Sequence, residues 1–312
     1  MSTNDQELVL ETRGLSKRFG PTQALDGLSF GVPRGSIFGF LGPNGAGKTT
    51  TFSILCGFIR PSGGEAWVLG EPVGRVDALA GRLSALPQDA HFVPSRSVGD
   101  SLRYLAELGG LPRQRIAEEV NRVLTVVGLK DADGVRGRAL SHGMAKRFGL
   151  AQAFLGQPEL VLLDEPTEGL DPRNAQQVRR VIRELATSAT VVVSSHNLSE
   201  VQDLCDHAAI LSKGKLVTLG SMEELTATDE QVVITLGTNA SDPRPALKDL
   251  TTIEDARWDA EQHRLHLRLR LGPTDKPEGA ITETLRLLIA EGATISTVRR
   301  GQALQERFLK VT

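Results

Sequence analysis

Short apolar runs recur along this chain, and stretches of helical spacing separate them. Leu8-Val9-Leu10-Glu11-Thr12 reads as an opening strand, and Arg13 to Gly20 as its lead into a turn. Leu28 to Val32 alternates like a half-buried strand. Ser36 to Leu41 is a short apolar strand that runs straight into a glycine-rich loop, Gly42 to Gly47. The pattern predicts a helix from near Lys48, with Phe52, Ile54, Leu55 and Phe58 on its apolar side, ended by Pro61-Ser62-Gly63-Gly64. From about Asp89 to Gln157 the strand signal fades, and helical spacing covers Asp100 to Leu108, Gln114 to Val127 and Ala145 to Leu155. Strands return at Glu159 to Leu163, Thr190 to Ser194 and Ala208 to Leu211, with a helix over Pro172 to Ala186. Wholly apolar short strands alternating with helices predict a buried parallel sheet, here carrying a helical insertion.

Beyond Thr226 the pattern changes. Strands are predicted at Gln231 to Leu236, Ile253 to Trp258, His263 to Leu271 and Thr294 to Val298. In the third, Leu265, Leu267, Leu269 and Leu271 alternate with His266, Arg268 and Arg270, one dry face and one wet face. Helices are predicted at Pro245 to Leu250, Ile281 to Ala290 and Leu304 to Val311. The order β-α-β-β-α-β predicts a ferredoxin-like sandwich. The fold class is thus α/β: a core over residues 8–225 built around the glycine-rich loop, with a helical subdomain at about 89–157, then a small accessory α+β domain over 226–312.

Composition narrows the function. A length of 312 residues suits one large domain plus a small one. A net charge of −2 and an aromatic content of 4% argue against nucleic acid as a partner. Cys56 and Cys205 lie far apart in apolar segments, without metal-ligand or disulfide spacing, and are expected to be buried in a reducing cytosol. Met1 to Glu7 is polar and acidic, unlike a secretory signal. The most apolar runs, Leu160 to Leu163 and Ala189 to Val193, fall far short of the ~20 residues that cross a bilayer, so a transport role requires the pathway on another chain.

The chemistry is concentrated in two places. Gly42-Pro43-Asn44-Gly45-Ala46-Gly47-Lys48-Thr49 fits G-x-x-x-x-G-K-[ST] between a strand and a helix. Phosphate oxygens need several N–H donors at short range, so Gly45 and Gly47 keep side chains out of the cradle while the helix N-terminus adds positive potential. Lys48 supplies a point charge, the Thr49 hydroxyl can ligate Mg²⁺, and Thr50 completes the set expected at the nucleotide. The second place is Leu160-Val161-Leu162-Leu163-Asp164-Glu165, a buried strand ending in two carboxylates. Asp164 would hold Mg²⁺, and Glu165 would polarise a water against the γ-phosphate of ATP.

Further motifs stand in fixed order around these two. Gln88 lies in Leu86-Pro87-Gln88-Asp89; Leu140-Ser141-His142-Gly143-Met144 precedes the acidic strand; Gly169-Leu170-Asp171 follows it; and His196 follows Val191 to Ser195. Over roughly residues 8–225 this set resembles the ABC-type ATPases, whose signature is usually Leu-Ser-Gly-Gly-Gln. The resemblance implies that two ATPase domains dimerise head to tail, each ATP being clasped between one P-loop and the other chain's signature helix. It implies Phe19 stacking on adenine, Gln88 sensing Mg²⁺ and the membrane partner, and Ser141 offering its hydroxyl to the γ-phosphate. It further implies Gly143 keeping the backbone close, Asp171 coupling the two sites, and His196 holding the γ-phosphate and attacking water. His142 and Met144 depart from the usual signature; a tolerated variant and a tuned or impaired site both stay open. If His142 touches the γ-phosphate, its protonation would strengthen that contact.

Leu304 to Thr312 resembles the ending of bacterial multidrug, antibiotic-resistance and sodium-export ATPases. That implies the motor subunit of an exporter at the cytoplasmic face of the membrane, with a membrane-spanning permease on a separate chain and a second ATPase subunit, which a homodimer could supply. The tail could stabilise a dimer or regulate. A docking groove is expected near Gln88 and Phe92 to Leu108. A soluble ABC ATPase acting on a macromolecular complex is the alternative, opposed by the single cassette and the lack of coiled-coil or zinc insertions. A non-hydrolysing scaffold is opposed by Glu165 and His196. The remaining His91, His207, His263 and His266 form no ligand constellation; Trp67 and Trp258 are expected to pack, and Arg179-Arg180 to lie on a solvated face.

Overall fold

Apolar strands too short to stand alone combine into two stacked sheets in the first part of the chain. The computed structural model describes residues 7–90, 92–226, 231–237, 240–271 and 277–300. It divides into two compact units, residues 1–222 and 223–312.

In the first unit, β1 (Leu8–Phe19), β2 (Thr22–Pro33), β4 (Gly63–Val68) and β5 (Glu71–Pro72) form an antiparallel sheet in the order β2-β1-β4-β5. Arg13 to Phe19, predicted as a lead into a turn, instead continues β1. Gly14 has φ +60°, and the pairing registers shift on either side of it, between Thr12 and Leu15 against β2 and between Arg13 and Ser16 against β4. That is bulge behaviour, so the glycine bends the strand without ending it. Gly63-Gly64, predicted as a terminus, opens β4.

The second sheet runs β10-β9-β3-β8-β7-β6, from β3 (Ile37–Leu41), β6 (Leu83–Leu86), β7 (Leu160–Asp164), β8 (Thr190–Ser195), β9 (His207–Ser212) and β10 (Lys215–Ser221). All neighbours are parallel except β10, which pairs antiparallel with β9. Every residue of β3, β7 and β8 is buried. Each large aliphatic so covered contributes about 1.5–3 kcal/mol. Phe30, Phe38, Phe40 and Phe52 join Leu160, Leu162 and Val192 in one core beneath the glycine-rich loop.

Helices α1 (Lys48–Leu55), α2 (Val76–Leu79), α6 (Pro172–Leu185), α7 (Leu198–Leu204) and α8 (Met222–Thr226) connect the strands. The helical insertion, α3 (Val98–Leu108), α4 (Arg113–Val126) and α5 (His142–Ala153), is one excursion between the paired strands β6 and β7. Its return is held by Glu159, whose carboxylate takes the Arg82 guanidinium at 2.6 Å and whose N–H donates to the Arg82 carbonyl at 2.8 Å. Side-chain N-caps start four helices: Ser97 for α3, Ser141 for α5, Asp171 for α6 and Asn197 for α7.

The second unit pairs β11 (Gln231–Leu236), β12 (Ile253–Asp259), β13 (Arg264–Leu269) and β14 (Ile295–Arg300) in the order β12-β13-β11-β14, all neighbours antiparallel. Leu265, Leu267 and Leu269 are buried as the alternation predicts, with Val232, Ile234 and Leu236 and with Ala280, Ile281 and Leu288 of α9 (Pro277–Ala290). The helix predicted over Pro245 to Leu250 is only a 3₁₀ turn, Arg244–Leu247, in a proline-rich stretch that denies the N–H groups a longer helix needs. His91 and the predicted helix Leu304 to Val311 lie outside the described residues.

Candidate active site

The site begins where β3 ends. After Leu41 the chain turns through Gly42 to Gly47, and α1 starts at Lys48 with its first N–H groups free of intrahelical partners. Gly47 has φ +106°, and a Cβ there would lie 2.5 Å from Leu25 Cδ2 and 2.9 Å from the Ala24 carbonyl. Packing from behind, as well as backbone conformation, therefore requires glycine. Gly45, at φ +81°, has nothing within 4 Å of such a Cβ and so leaves the mouth of the loop open. Pro43 and Asn44 are exposed beside it, Ala46 is buried, and Thr50 is half-buried on α1.

Lys48 folds back over this loop. Its ammonium donates to the Gly42 carbonyl at 2.7 Å and the Pro43 carbonyl at 3.4 Å. It also faces Glu165 Oε1 at 3.1 Å, an ion pair outside hydrogen-bond geometry, with both side chains only 6% exposed. Thr49 Oγ1 donates to Asp164 Oδ2 at 2.8 Å, and Ser194 Oγ donates to Asp164 Oδ1. A hydroxyl and a carboxylate meeting at a phosphate loop are the hard oxygen donors that Mg²⁺ takes from a protein whose substrate supplies the remaining ligands. The residues therefore fit the ion, which Thr49 and Asp164 would hold.

Glu165 follows β7 with φ +47°, in the left-handed region. The turn directs its carboxylate away from the strand axis, towards Lys48 on one side and His196 on the other. His196 Nδ1 lies 3.0 Å from Oε2, the imidazole itself being half-exposed. The Glu165 N–H donates to Ser194 Oγ at 3.0 Å. Ser194 thus fixes both carboxylate residues, a role the sequence reading missed; the signal was two serines closing an otherwise apolar strand. Behind the site, Thr167 Oγ1 donates to Glu200 Oε2 at 2.6 Å, and Arg179 pairs with Glu200 Oε1 at 3.1 Å. Arg179 is accordingly a half-buried strut, not part of the solvated face expected of it.

The structure brings Lys48, Thr49, Asp164, Glu165 and His196 together at the glycine-rich loop, with Gln88 sharing a cavity with Asp164, whereas the contacts of Phe19, Ser141 and Asp171 lie elsewhere. Phe19 is exposed at the end of β1, with the Lys17 ammonium 5.0 Å from its ring. Gln88 donates to Glu168, and its carbonyl accepts from Lys146 at 3.5 Å. Gln88, Glu168 and Asp164 line one cavity of about 470 Å³, together with His142 and Phe92. Ser141 caps α5 by accepting from the Met144 N–H at 3.3 Å, a use that leaves its own proton free to donate. Asp171 caps α6 by accepting from Arg173 and Asn174, both at 3.0 Å. Those bonds, first from Asn174, hold the Asp171 carboxyl below the usual range.

Residues 25–168 match the ABC transporter family. The chain is 35% identical over 219 residues to a Nod factor export ATP-binding protein of Ralstonia nicotianae, covering 70% of this chain and 68% of that relative. It is 37% identical over 212 residues to the bacitracin transport ATP-binding protein of Bacillus licheniformis, covering 67% and 68%. Among solved structures, cbiO1 of Clostridium perfringens, described as part of the ABC transporter complex cbiONQ, matches with a TM-score of 0.65 at 26% identity. That match covers 70% of this chain and 91% of cbiO1.

Proposed function

This chain belongs to the ABC transporter ATP-binding family, and from that premise we propose that it hydrolyses ATP as the motor subunit of an exporter. The observation that carries the chemistry is the Lys48–Glu165–His196 sequence of contacts beside Thr49 and Asp164. Mg²⁺, when bound, draws charge from the phosphate oxygens. The glycine loop binds the phosphates through its N–H groups, and Lys48 adds a fixed positive charge. Glu165, with one oxygen on His196, accepts the proton of the attacking water. His196 holds that carboxylate in place through Nδ1 and turns its other ring nitrogen to solvent and substrate.

The remaining parts of the reading concern partners. A permease on a separate chain docks on the helical insertion, at the cytoplasmic face of the membrane. Val93, Tyr104, Leu105 and Leu108 support this, being large apolar side chains left exposed on that insertion. No helix among the described residues is long and apolar enough to span a membrane. Two copies of the chain clasp ATP between the P-loop of one and Ser141 of the other, with Phe19 against the adenine. The second unit is a ferredoxin-like sandwich, a reading supported by its strand order and its antiparallel pairing.

The test is steady-state ATP turnover of the purified full-length chain, with Glu165→Gln as control, followed by sizing in Mg-ATP. Turnover in the wild type, a loss of about a thousandfold in the control, and an ATP-dependent dimer of the control are expected. Equal turnover in both proteins would reject Glu165 as the base.

A further inference from the structure

Asn174 stands in the first turn of α6, between Asp171 and the segment Ser141 to Gly143. Its Nδ2 donates to Asp171 Oδ2 at 2.5 Å. A carboxylate only accepts, so this bond settles which way the Asn174 amide faces. The amide oxygen is thereby turned to Gly143. A Cβ built on Gly143 would fall 2.6 Å from Asn174 Oδ1 and 2.9 Å from its Cγ. Gly143 lies within α5 and is buried, and its φ is not among the positive values. Conformation therefore does not require glycine here, whereas the close approach of Asn174 does. Next to it, His142 meets the chain just before Asp171: a Cβ on Gly169 would lie 3.5 Å from His142 Nε2. Two successive residues of the signature segment are thus seated on two residues flanking Asp171.

We infer that Asn174 is a positioning residue for ATP hydrolysis, locking Ser141 to Gly143 and Asp171 into one rigid block. The inference rests on the reading above, in which Ser141 completes a site across a dimer. The Ser141 hydroxyl and the N-terminus of α5 then reach the partner's nucleotide at a distance set by Asn174. An error of about 1 Å in such a group can cost on the order of a hundredfold in rate. Gly143 on this view answers to its own chain's Asn174, and not only to the nucleotide.

The experiment is a double-mutant cycle on the full-length chain: Asn174→Ala, Gly143→Ala and the pair, each followed by ATP turnover and by thermal unfolding. Asn174→Ala should lower kcat about tenfold while KM for ATP stays within about twofold, because the P-loop of the same chain is untouched. Gly143→Ala should lower kcat by about a hundredfold and also lower Tm, since its methyl meets Asn174. The pair should regain the kcat and Tm of Asn174→Ala, the second truncation making room for the first. A pair no better than Gly143→Ala, or an Asn174→Ala with wild-type kcat, would overturn the inference. Thermal coupling needs no turnover. A wild-type chain without activity would therefore defeat the motor reading, while the Tm cycle would still decide the Asn174–Gly143 contact.

Discussion

The Lys48 ammonium lies 3.1 Å from Glu165 Oε1, with both side chains buried, so the lysine of the glycine loop and the carboxylate proposed to activate water are each other's counter-ions. Phosphate approaching this loop meets a lysine whose charge Glu165 already partly offsets.

Glu165→Gln removes that offset and should tighten ATP binding about fivefold or more while it abolishes turnover, read by nucleotide titration without hydrolysis. Lys48→Met should do the reverse damage. It leaves a buried carboxylate with only His196 beside it, and should cost about 3–5 kcal/mol in denaturant unfolding without nucleotide. A Lys48→Met protein as stable as wild type would show that the pair is not coupled.

Removing Mg²⁺ with a chelator should stop turnover, and restoring it should recover the rate. Thr49→Ser keeps the hydroxyl that meets Asp164 at 2.8 Å and should retain most activity. Thr49→Val should raise the Mg²⁺ concentration giving half-maximal rate by about tenfold or more, as loss of an oxygen ligand demands. An unchanged Mg²⁺ dependence in Thr49→Val would exclude Thr49 as a ligand.

The glycine loop and the acidic strand were legible because each needs a contiguous run: five buried residues ending in a turn, twice over. The outer sheet was harder to read. Gly63–Val68 is only half-covered, so its polar positions and paired glycines masked the strand, and Gly14 looked like a turn where it makes a bulge. Helix Leu198–Leu204 was missed although Asn197 caps it and Glu200 sits three residues on, a start signal that short length obscured. In the site, spacing located Gly143 and Asp171 but not what they touch. Asn174 became visible only when α5 and α6 were seen side by side, because the contact joins residues far apart in the chain.

Acid should loosen the helical insertion through Glu119. Burial pushes its carboxyl up, but the Arg122 guanidinium and the Gly156 N–H outweigh that and hold it below the ordinary value. A lowered folded value means that its stabilisation is full above the unfolded pKa and is lost as pH falls through the folded one. Unfolding measured from pH 7 downwards should show a shallower acid loss in Glu119→Gln than in wild type. Identical slopes would remove Glu119 from the account.

Both cysteines should resist alkylation. Burial first, and the Asp164 charge second, push the Cys56 thiol up to about 11, and burial raises Cys205 further. At pH 8 the thiolate fraction of Cys56 is then roughly a thousandth, so iodoacetamide should label the folded chain at least a hundredfold more slowly than the unfolded chain. Rapid labelling of Cys56 at that pH would contradict its partial burial at the C-terminal end of α1.

The helical insertion leaves the sheet at Pro87 and returns at Glu159, beside the strand it left, with Arg82 clamping the return. Its two ends are roughly one short strand apart, about 13 Å. Such a segment behaves as an interchangeable cassette: its chain ends meet a fixed socket, and replacing it disturbs no strand pairing between β3, β7 and β8. Residues 87–159 carry the proposed docking surface and the Ser141 helix, while Lys48, Asp164, Glu165 and His196 stay with the socket. Exchange of this one stretch between relatives would therefore move the proposed docking surface and the Ser141 helix together, while the glycine loop and the two carboxylates stay in place, provided that Asn174 still fits the incoming residue at 143.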